Sequence, residues 1–254
     1  MKTILDIKNL TVNVGQDKIL NNVSLSIPSG KIIGIVGGSG SGKTTLGLSV
    51  LNLLPTAMRV AAGSIIFEGK DLLALPSPAL RCIRGFKIGM IFQEPLSAFD
   101  PLFTIGAQLD ETLAAHTTLH VNQRHEKISA VLKSVEIEDP DRIADSYPHE
   151  LSGGLRQRAM IAQAIIGGPR LIIADEATSS LDVTIQAKII RLLQRLNQEQ
   201  GISILFIAHD LGLVSFLAHE VAVMTQGNIV EYGQAQEILN DPKHDYTKAL
   251  LKAY

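Results

Sequence analysis

Gly37-Gly38-Ser39-Gly40-Ser41-Gly42-Lys43-Thr44 stands between an apolar run of strand length, Lys31 to Gly37, and a helical stretch that continues to about Leu54 and stops before Pro55. The eight residues fit G-x-x-x-x-G-K-[ST], and a strand before and a helix after are the context that pattern requires. Each residue type has a physical reason to be there. Glycines let successive backbone N–H groups point into one concavity, and the helix N-terminus adds a partial positive charge. Lys43 can reach the terminal phosphates of a nucleotide, and Thr44 can offer its hydroxyl to Mg2+. Thr45, the next residue, belongs to the same cradle. Strand, loop and helix in this order predict an α/β fold with a P-loop NTPase core.

Working outward, Ile4 to Val12 and Val23 to Ile27 alternate apolar and polar residues, with a turn at Pro28-Ser29-Gly30. They predict an N-terminal antiparallel β-subdomain. Gly63 to Phe67 and Ile88 to Phe92 read as two more strands. From Gly106 to about Ala144 the pattern is helical, with Ile128, Val131, Leu132 and Val135 at i, i+3, i+4 and i+7 after Asn122 as N-cap. Beyond it, the strands Leu171 to Ala174, Ser203 to Ala208 and Glu220 to Met224 alternate with helices, among them Val183 to Gln200. A final helix is expected over Asp245 to Ala253. This alternation predicts a mostly parallel sheet with helices on both sides.

Composition bounds the partners. The 254 residues carry 23 Lys plus Arg against 25 Asp plus Glu, a net charge of −2 that gives no reason to expect a nucleic-acid surface. Cys82 is the single cysteine, which excludes an internal disulfide and a multi-cysteine zinc or iron–sulfur site, and suits a reducing cytoplasm. No signal-peptide h-region opens the chain, and no apolar run approaches the ~18 residues needed to cross a bilayer. Action at a membrane is therefore expected to go through a partner.

Further chemistry lies downstream of the loop. Leu171 to Ala174 delivers Asp175 and Glu176 at the C-terminal end of a strand, where ligands gather in open α/β sheets. Asp175 suits the Mg2+ side, and Glu176 the attacking water, as its general base or by polarising and orienting it. Leu151-Ser152-Gly153-Gly154-Leu155-Arg156-Gln157 is a turn of small residues before a cationic helix that runs through Ile166. Alone it reads as an N-capped helix start, yet Ser152 and Gly153 at a helix N-terminus also form a second anion cradle. His209, alone, is equally a core residue, a switch or a surface histidine. His116, His120 and His125 are not read as a metal site, because Thr117-Thr118 and Asn122 interrupt the helix that would align them.

The ordered series of phosphate loop, Gln93, Leu151 to Gln157, Asp175-Glu176, Ser180-Leu181-Asp182 and His209 resembles the nucleotide-binding subunit of an ABC transporter, over Ile4 to at least Val230. The resemblance implies one ABC ATPase domain: a RecA-like core with its β-subdomain over residues 1–92 and 168–254, and an inserted α-helical signature subdomain over about 93–167. It implies ATP and Mg2+ as cofactors, with Thr44, Gln93 and Asp175 on the metal. Gln93 would also contact the attacking water and sense the membrane partner, Glu176 would act in hydrolysis, and His209 would contact the γ-phosphate. Ser152, Gly153, Gly154 and Gln157 would close on ATP held by a second subunit, and Asp182 would contact across that interface. Two departures stand out. There is no aromatic residue before Phe67 to stack on adenine, and Ala177 follows Glu176 where the family more often has proline.

Phe92 to Pro101, Tyr147 to Leu151, Leu181-Asp182-Val183 and Asp241 to His244 resemble the importers of peptides and nickel. Many peptide-transporting relatives extend past this chain's last residue with a cysteine-bearing segment, so the shorter nickel or metallophore type is favoured at this stage. The resemblance implies two integral membrane permease subunits, a second ATPase subunit of different sequence, an extracytoplasmic solute-binding protein acting indirectly, and a peripheral position on the cytoplasmic face of the inner membrane. Two other readings are weighed. A soluble ABC-type ATPase acting on ribosomes or nucleic acid would need a second ATPase domain, a long coiled coil or zinc cysteines. A non-hydrolysing scaffold would not need the intact Lys43, Asp175, Glu176 and His209.

Overall fold

Thr3–Val14 (β1) and Asp17–Pro28 (β2) place alternate apolar side chains inward, among them Leu5, Ile7, Leu20 and Ile27, as strands with one covered face do. They pair antiparallel, with Leu5 opposite Ile27 and Val14 opposite Asp17. Ile32–Val36 (β3) is apolar throughout and buried at every residue, the signature of a strand covered on both faces. The chain continues through Lys43–Val50 (α1), Met58–Phe67 (β4), Lys70–Asp71 (β5), Ser77–Arg81 (α2), Ile88–Ile91 (β6) and Pro95–Ala98 (α3). Four helices follow, Ile105–His116 (α4), Val121–Ser134 (α5), Pro140–Asp145 (α6) and Gly153–Ile165 (α7). Leu171–Asp175 (β7), Val183–Gln200 (α8), Ser203–Ala208 (β8), Leu211–Leu217 (α9), Glu220–Thr225 (β9), Asn228–Gln234 (β10), Ala235–Asn240 (α10) and Asp245–Lys252 (α11) complete it. This computed structural model describes residues 2–179 and 181–252.

The chain divides into two compact units, one comprising residues up to Leu80 and from Leu196 onward, the other Arg81–Arg195. In the first, β2-β1-β4-β5 form the antiparallel sheet, and β10-β9-β3-β8 form a second sheet. There β3 runs parallel to β8, Ile32 opposite Ile204 and Val36 opposite Ala208, and parallel to β9, Gly34 opposite Val221. β10 returns antiparallel to β9 through Gln226 and Gly227, both at positive φ (47° and 74°), the two-residue geometry that suits strand twist.

In the second unit β6 lies parallel to β7, Ile88 opposite Leu171 and Ile91 opposite Ala174. Leu109 and Leu113 of α4, Leu132 of α5 and Ile143 of α6 are fully buried; each such side chain contributes about 1.5–3 kcal/mol. Arg124 of α5 grips Asp110 of α4 with two N–H groups, Nε at 2.6 Å and Nη2 at 3.1 Å, and donates Nη1 to Leu119 O at 2.9 Å.

The α/β class, the antiparallel N-terminal sheet and the mostly parallel strands match the sequence reading, and several boundaries move. α1 stops at Val50 because Asn52 takes a left-handed φ of 50° and its N–H turns back to Ser49 O. β4 starts at Met58, five residues before the expected Gly63, because its first half pairs with Thr11 to Val14 of β1. α5 is capped by His120 rather than Asn122, since the Gln123 amide oxygen accepts the His120 N–H at 3.0 Å and draws the helix start back two residues. β10 was not foreseen; its residues are mostly half-buried, which blurs the period-two signal. Ala253, the expected end of the last helix, lies outside the described residues. Among the described residues no helix is long and apolar enough to cross a membrane.

Candidate functional site

In the first unit the phosphate loop leaves the end of β3 and enters α1. Gly42 precedes the helix at φ 100°, a conformation that only glycine adopts readily. Gly37 is required for a different reason: a Cβ there would lie 2.1 Å from Met224 O. Lys43 is only 5% exposed, and its Nζ donates to Gly37 O at 2.8 Å and Gly38 O at 2.9 Å, with Ser41 Oγ at 3.5 Å. The ammonium is thus curled over its own loop. Ser39, Gly40 and Thr44 are exposed, whereas Ser41 and Thr45 are buried. The loop therefore presents a rim of backbone and hydroxyl groups beside a positioned cation, and these groups fit a phosphate chain and a hard oxygen-loving divalent ion.

One further part of this unit bears on the loop. The Tyr246 hydroxyl of α11 accepts the Gly38 N–H at 2.8 Å. No sequence signal could have found this contact, since the partners lie 208 positions apart. His209 follows β8 directly and is exposed, and the next residue, Asp210, caps α9 by accepting the Leu213 N–H at 3.0 Å.

In the second unit β7 ends at Asp175, which is 4% exposed. A buried carboxylate at a strand end is a suitable oxygen ligand for a divalent cation. Glu176 follows with φ 46°, a left-handed backbone uncommon outside glycine. Its Oε2 accepts the Gln93 Nε2 amide at 3.0 Å. Two residues 83 positions apart, both expected at the site, are thereby brought into contact. The Glu176 carbonyl is held in turn by Ser179, whose N–H donates at 3.1 Å and whose hydroxyl donates at 3.0 Å.

Ser152 caps α7, its Oγ accepting the Leu155 N–H at 3.4 Å. Ser152 and Gly153 are exposed and Gly154 is half-buried, so the helix N-terminus is open to an anion. Arg156 does not point out as part of a cationic rim; its guanidinium donates to Pro148 O at 2.7 Å and His149 O at 3.2 Å, tying the helix to the turn before it. Gln157 is 1% exposed and donates Nε2 to Ala177 O at 2.6 Å. Asp182 is exposed and caps α8 through the Ile185 N–H at 3.0 Å, while Ser180 lies outside the described residues. Of the three histidines set aside as metal ligands, His116 stacks on Phe86 with ring centres 5.2 Å apart, and His120 caps α5.

Glu136, beside this helix, receives Arg158 Nη1 at 2.7 Å and Arg195 Nη1 at 2.9 Å. The Arg158 hydrogen bond, outweighing burial and assisted by both positive charges, holds its carboxyl below the usual carboxylate value.

A family model described as "ABC transporter" matches residues 20–179. The dipeptide transport ATP-binding protein of Haemophilus influenzae is 44% identical over 98% of this chain and 77% of its own length. The peptidoglycan transport ATP-binding protein of Agrobacterium fabrum is 44% identical over 98% of this chain and 47% of its own. The chain thus spans about half the length of the second relative and about three quarters of the first. A solved dimeric ATP-binding cassette, in a post-hydrolysis state bound to ADP and Pi, superposes with a TM-score of 0.80 at 29% identity, covering 91% of this chain and 98% of that one. With the phosphate loop, the carboxylate pair and the signature turn in the family's order, the chain belongs to the ABC transporter family, of which it is an ATP-binding ATPase cassette.

Proposed function

We propose that this chain is the ATP-hydrolysing subunit that powers an importer of peptides. The observation that carries hydrolysis, rather than binding alone, is the 3.0 Å contact of the Gln93 amide with the Glu176 carboxylate. A carboxylate held by a neutral amide stays available to accept a proton or to orient water.

The cassette uses the phosphate loop, Gly37 to Thr45, as the cradle of the triphosphate. Lys43, now on the loop carbonyls, would turn its ammonium to the terminal phosphates, and Thr44, Asp175 and Gln93 would supply oxygen ligands to Mg2+. The metal, when bound, neutralises charge developing on the phosphates. Glu176 receives or orients the attacking water, and His209 contacts the γ-phosphate. Ser152, Gly153 and Gly154 close on nucleotide carried by a second cassette, and Asp182 contacts that partner. In the domain scheme this favours, residues 1–92 and 168–254 are the core and about 93–167 the helical subdomain that docks a membrane subunit.

The assembly supported by this reading has two permease subunits, a second ATPase subunit of different sequence and an extracytoplasmic binding protein, with the cassette peripheral on the cytoplasmic face. The relatives described above are named for dipeptide and peptidoglycan transport, which favours a peptide-class solute over nickel. The decisive experiment is Glu176→Gln. It is expected to bind ATP with wild-type affinity, to hydrolyse it about 100-fold or more slowly, and to accumulate as an ATP-bound dimer on size exclusion. Unchanged steady-state hydrolysis would remove Glu176 from catalysis.

A further inference from the structure

We propose that Gln157 is a positioning residue for Glu176 of the same chain, and not a contact to nucleotide; this rests on the hydrolytic reading above. Three observations within the second unit carry it. First, the Gln157 side chain faces inward, 1% exposed, so it has no surface to offer a ligand on the open end of α7. Second, its Nε2 donates to Ala177 O at 2.6 Å, while its Oε1 is buried with no hydrogen-bond partner. A buried amide that satisfies one end and leaves the other bare is a net cost to the fold. An apolar side chain of the same length would remove the bare acceptor but could not hold the Ala177 carbonyl, so that hold is what Gln157 supplies.

Third, Ala177 follows a strained residue. Glu176 sits at φ 46°, which persists only when the surroundings over-determine it. Ser179 holds the Glu176 carbonyl through its N–H and its hydroxyl, and Gln157 holds the next carbonyl, that of Ala177. The two grips act on the two consecutive peptide units that follow Glu176, whose carboxylate accepts the Gln93 amide. Because Gln157 lies on α7, which Ser152 caps, the same bond links the helix of the signature turn to the residue that follows the chain's own glutamate.

The test is Gln157→Met in the chain assembled with its second ATPase subunit and the permease subunits, a change that keeps the side-chain length and removes both the donor and the orphaned acceptor. The inference expects a thermal midpoint close to wild type, because losing the orphaned acceptor offsets losing the donor to the Ala177 carbonyl, with kcat for ATP hydrolysis lowered about 10-fold and KM for ATP within about twofold. Hydrogen exchange at the Ala177 to Ser179 amides should rise while the middle of α7 stays protected. Gln157→Glu, which sets a carboxylate against the Ala177 carbonyl, should lower kcat at least as far, and it carries the test should the methionine variant not fold. A folded Gln157→Met with wild-type kcat and unchanged exchange would overturn the inference. So would a fall in kcat matched by a fall in thermal midpoint, the mark of a purely structural residue. If wild type hydrolyses ATP and Glu176→Gln does not, yet Gln157→Met is normal, the positioning role fails alone. If the assembled wild-type complex does not hydrolyse ATP, the hydrolytic reading fails with it.

Discussion

In the first unit the phosphate loop is eight consecutive residues shaped by their own backbone, whereas in the second the glutamate is aimed by side chains from positions 93, 157 and 179. The loop needs little from elsewhere. Its cation folds back on Gly37 O and Gly38 O, and its tightest steric demand is the absence of a Cβ at Gly37. The glutamate, by contrast, occupies a backbone conformation that its own side chain disfavours, and distant donors hold it there. A contiguous nest is robust because backbone N–H groups cannot be mutated away. An aimed carboxylate can be lost by substitutions that never touch it.

The largest expected effect separates binding from turnover. Lys43→Ala removes the loop's cation, and two charge-assisted hydrogen bonds to phosphate are worth about 3 kcal/mol or more together. Affinity for a fluorescent ATP analogue should fall at least ~100-fold, the opposite pattern to Glu176→Gln. If both variants lost affinity equally, the division of labour between the two units would collapse.

A smaller effect contrasts two glycines. Gly37→Ala would press a methyl to 2.1 Å from Met224 O, and overpacking of this kind costs about 1–3 kcal/mol, readable as a lower urea midpoint. At Gly153 a Cβ would meet only Leu181 Cδ2, at 3.9 Å, so Gly153→Ala should keep stability within about 0.5 kcal/mol of wild type. Equal destabilisation of the two would show that the signature turn is packed as tightly as the phosphate loop.

The smallest effect concerns pH. Because the Glu136 carboxyl is held below its ordinary value of about 4.5, chiefly by Arg158, its stabilising contribution is present above that value and is lost as pH falls through the lowered one. The side chain is 44% exposed, so screening limits the contribution to less than about 1 kcal/mol. Wild type should unfold at a slightly higher temperature than Glu136→Gln near neutral pH, and the gap should narrow as pH falls below about 4.5 and through the lowered value. A gap that widened on acidification would reverse the assigned sign.

Much of the site was legible in the sequence where the chemistry is local. Gly42-Lys43-Thr44 between a buried strand and a helix admits few other meanings, and Ser152 before a helical run announces a cap that the structure contains. Less was legible where a residue's role depends on which way it faces. Gln157, read from its place in the signature series as a nucleotide contact, is turned into the core, because on α7 the residue five positions after the cap falls on the buried side with Ala159, Met160 and Ile161. Arg156, read as part of a cationic run, is spent on two backbone carbonyls.

By itself the sequence determined the α/β class, the phosphate loop and the order of the motifs, because strand and helix periodicity and the backbone freedom of glycine act over a few adjacent residues. Only the tertiary structure decided that the Gln93 amide meets Glu176, that Gln157 reaches Ala177, and that Tyr246 accepts the Gly38 N–H. Those contacts join residues 83, 20 and 208 positions apart, and a hydrogen bond of about 3 Å is satisfied by position in space, to which spacing along the chain is blind.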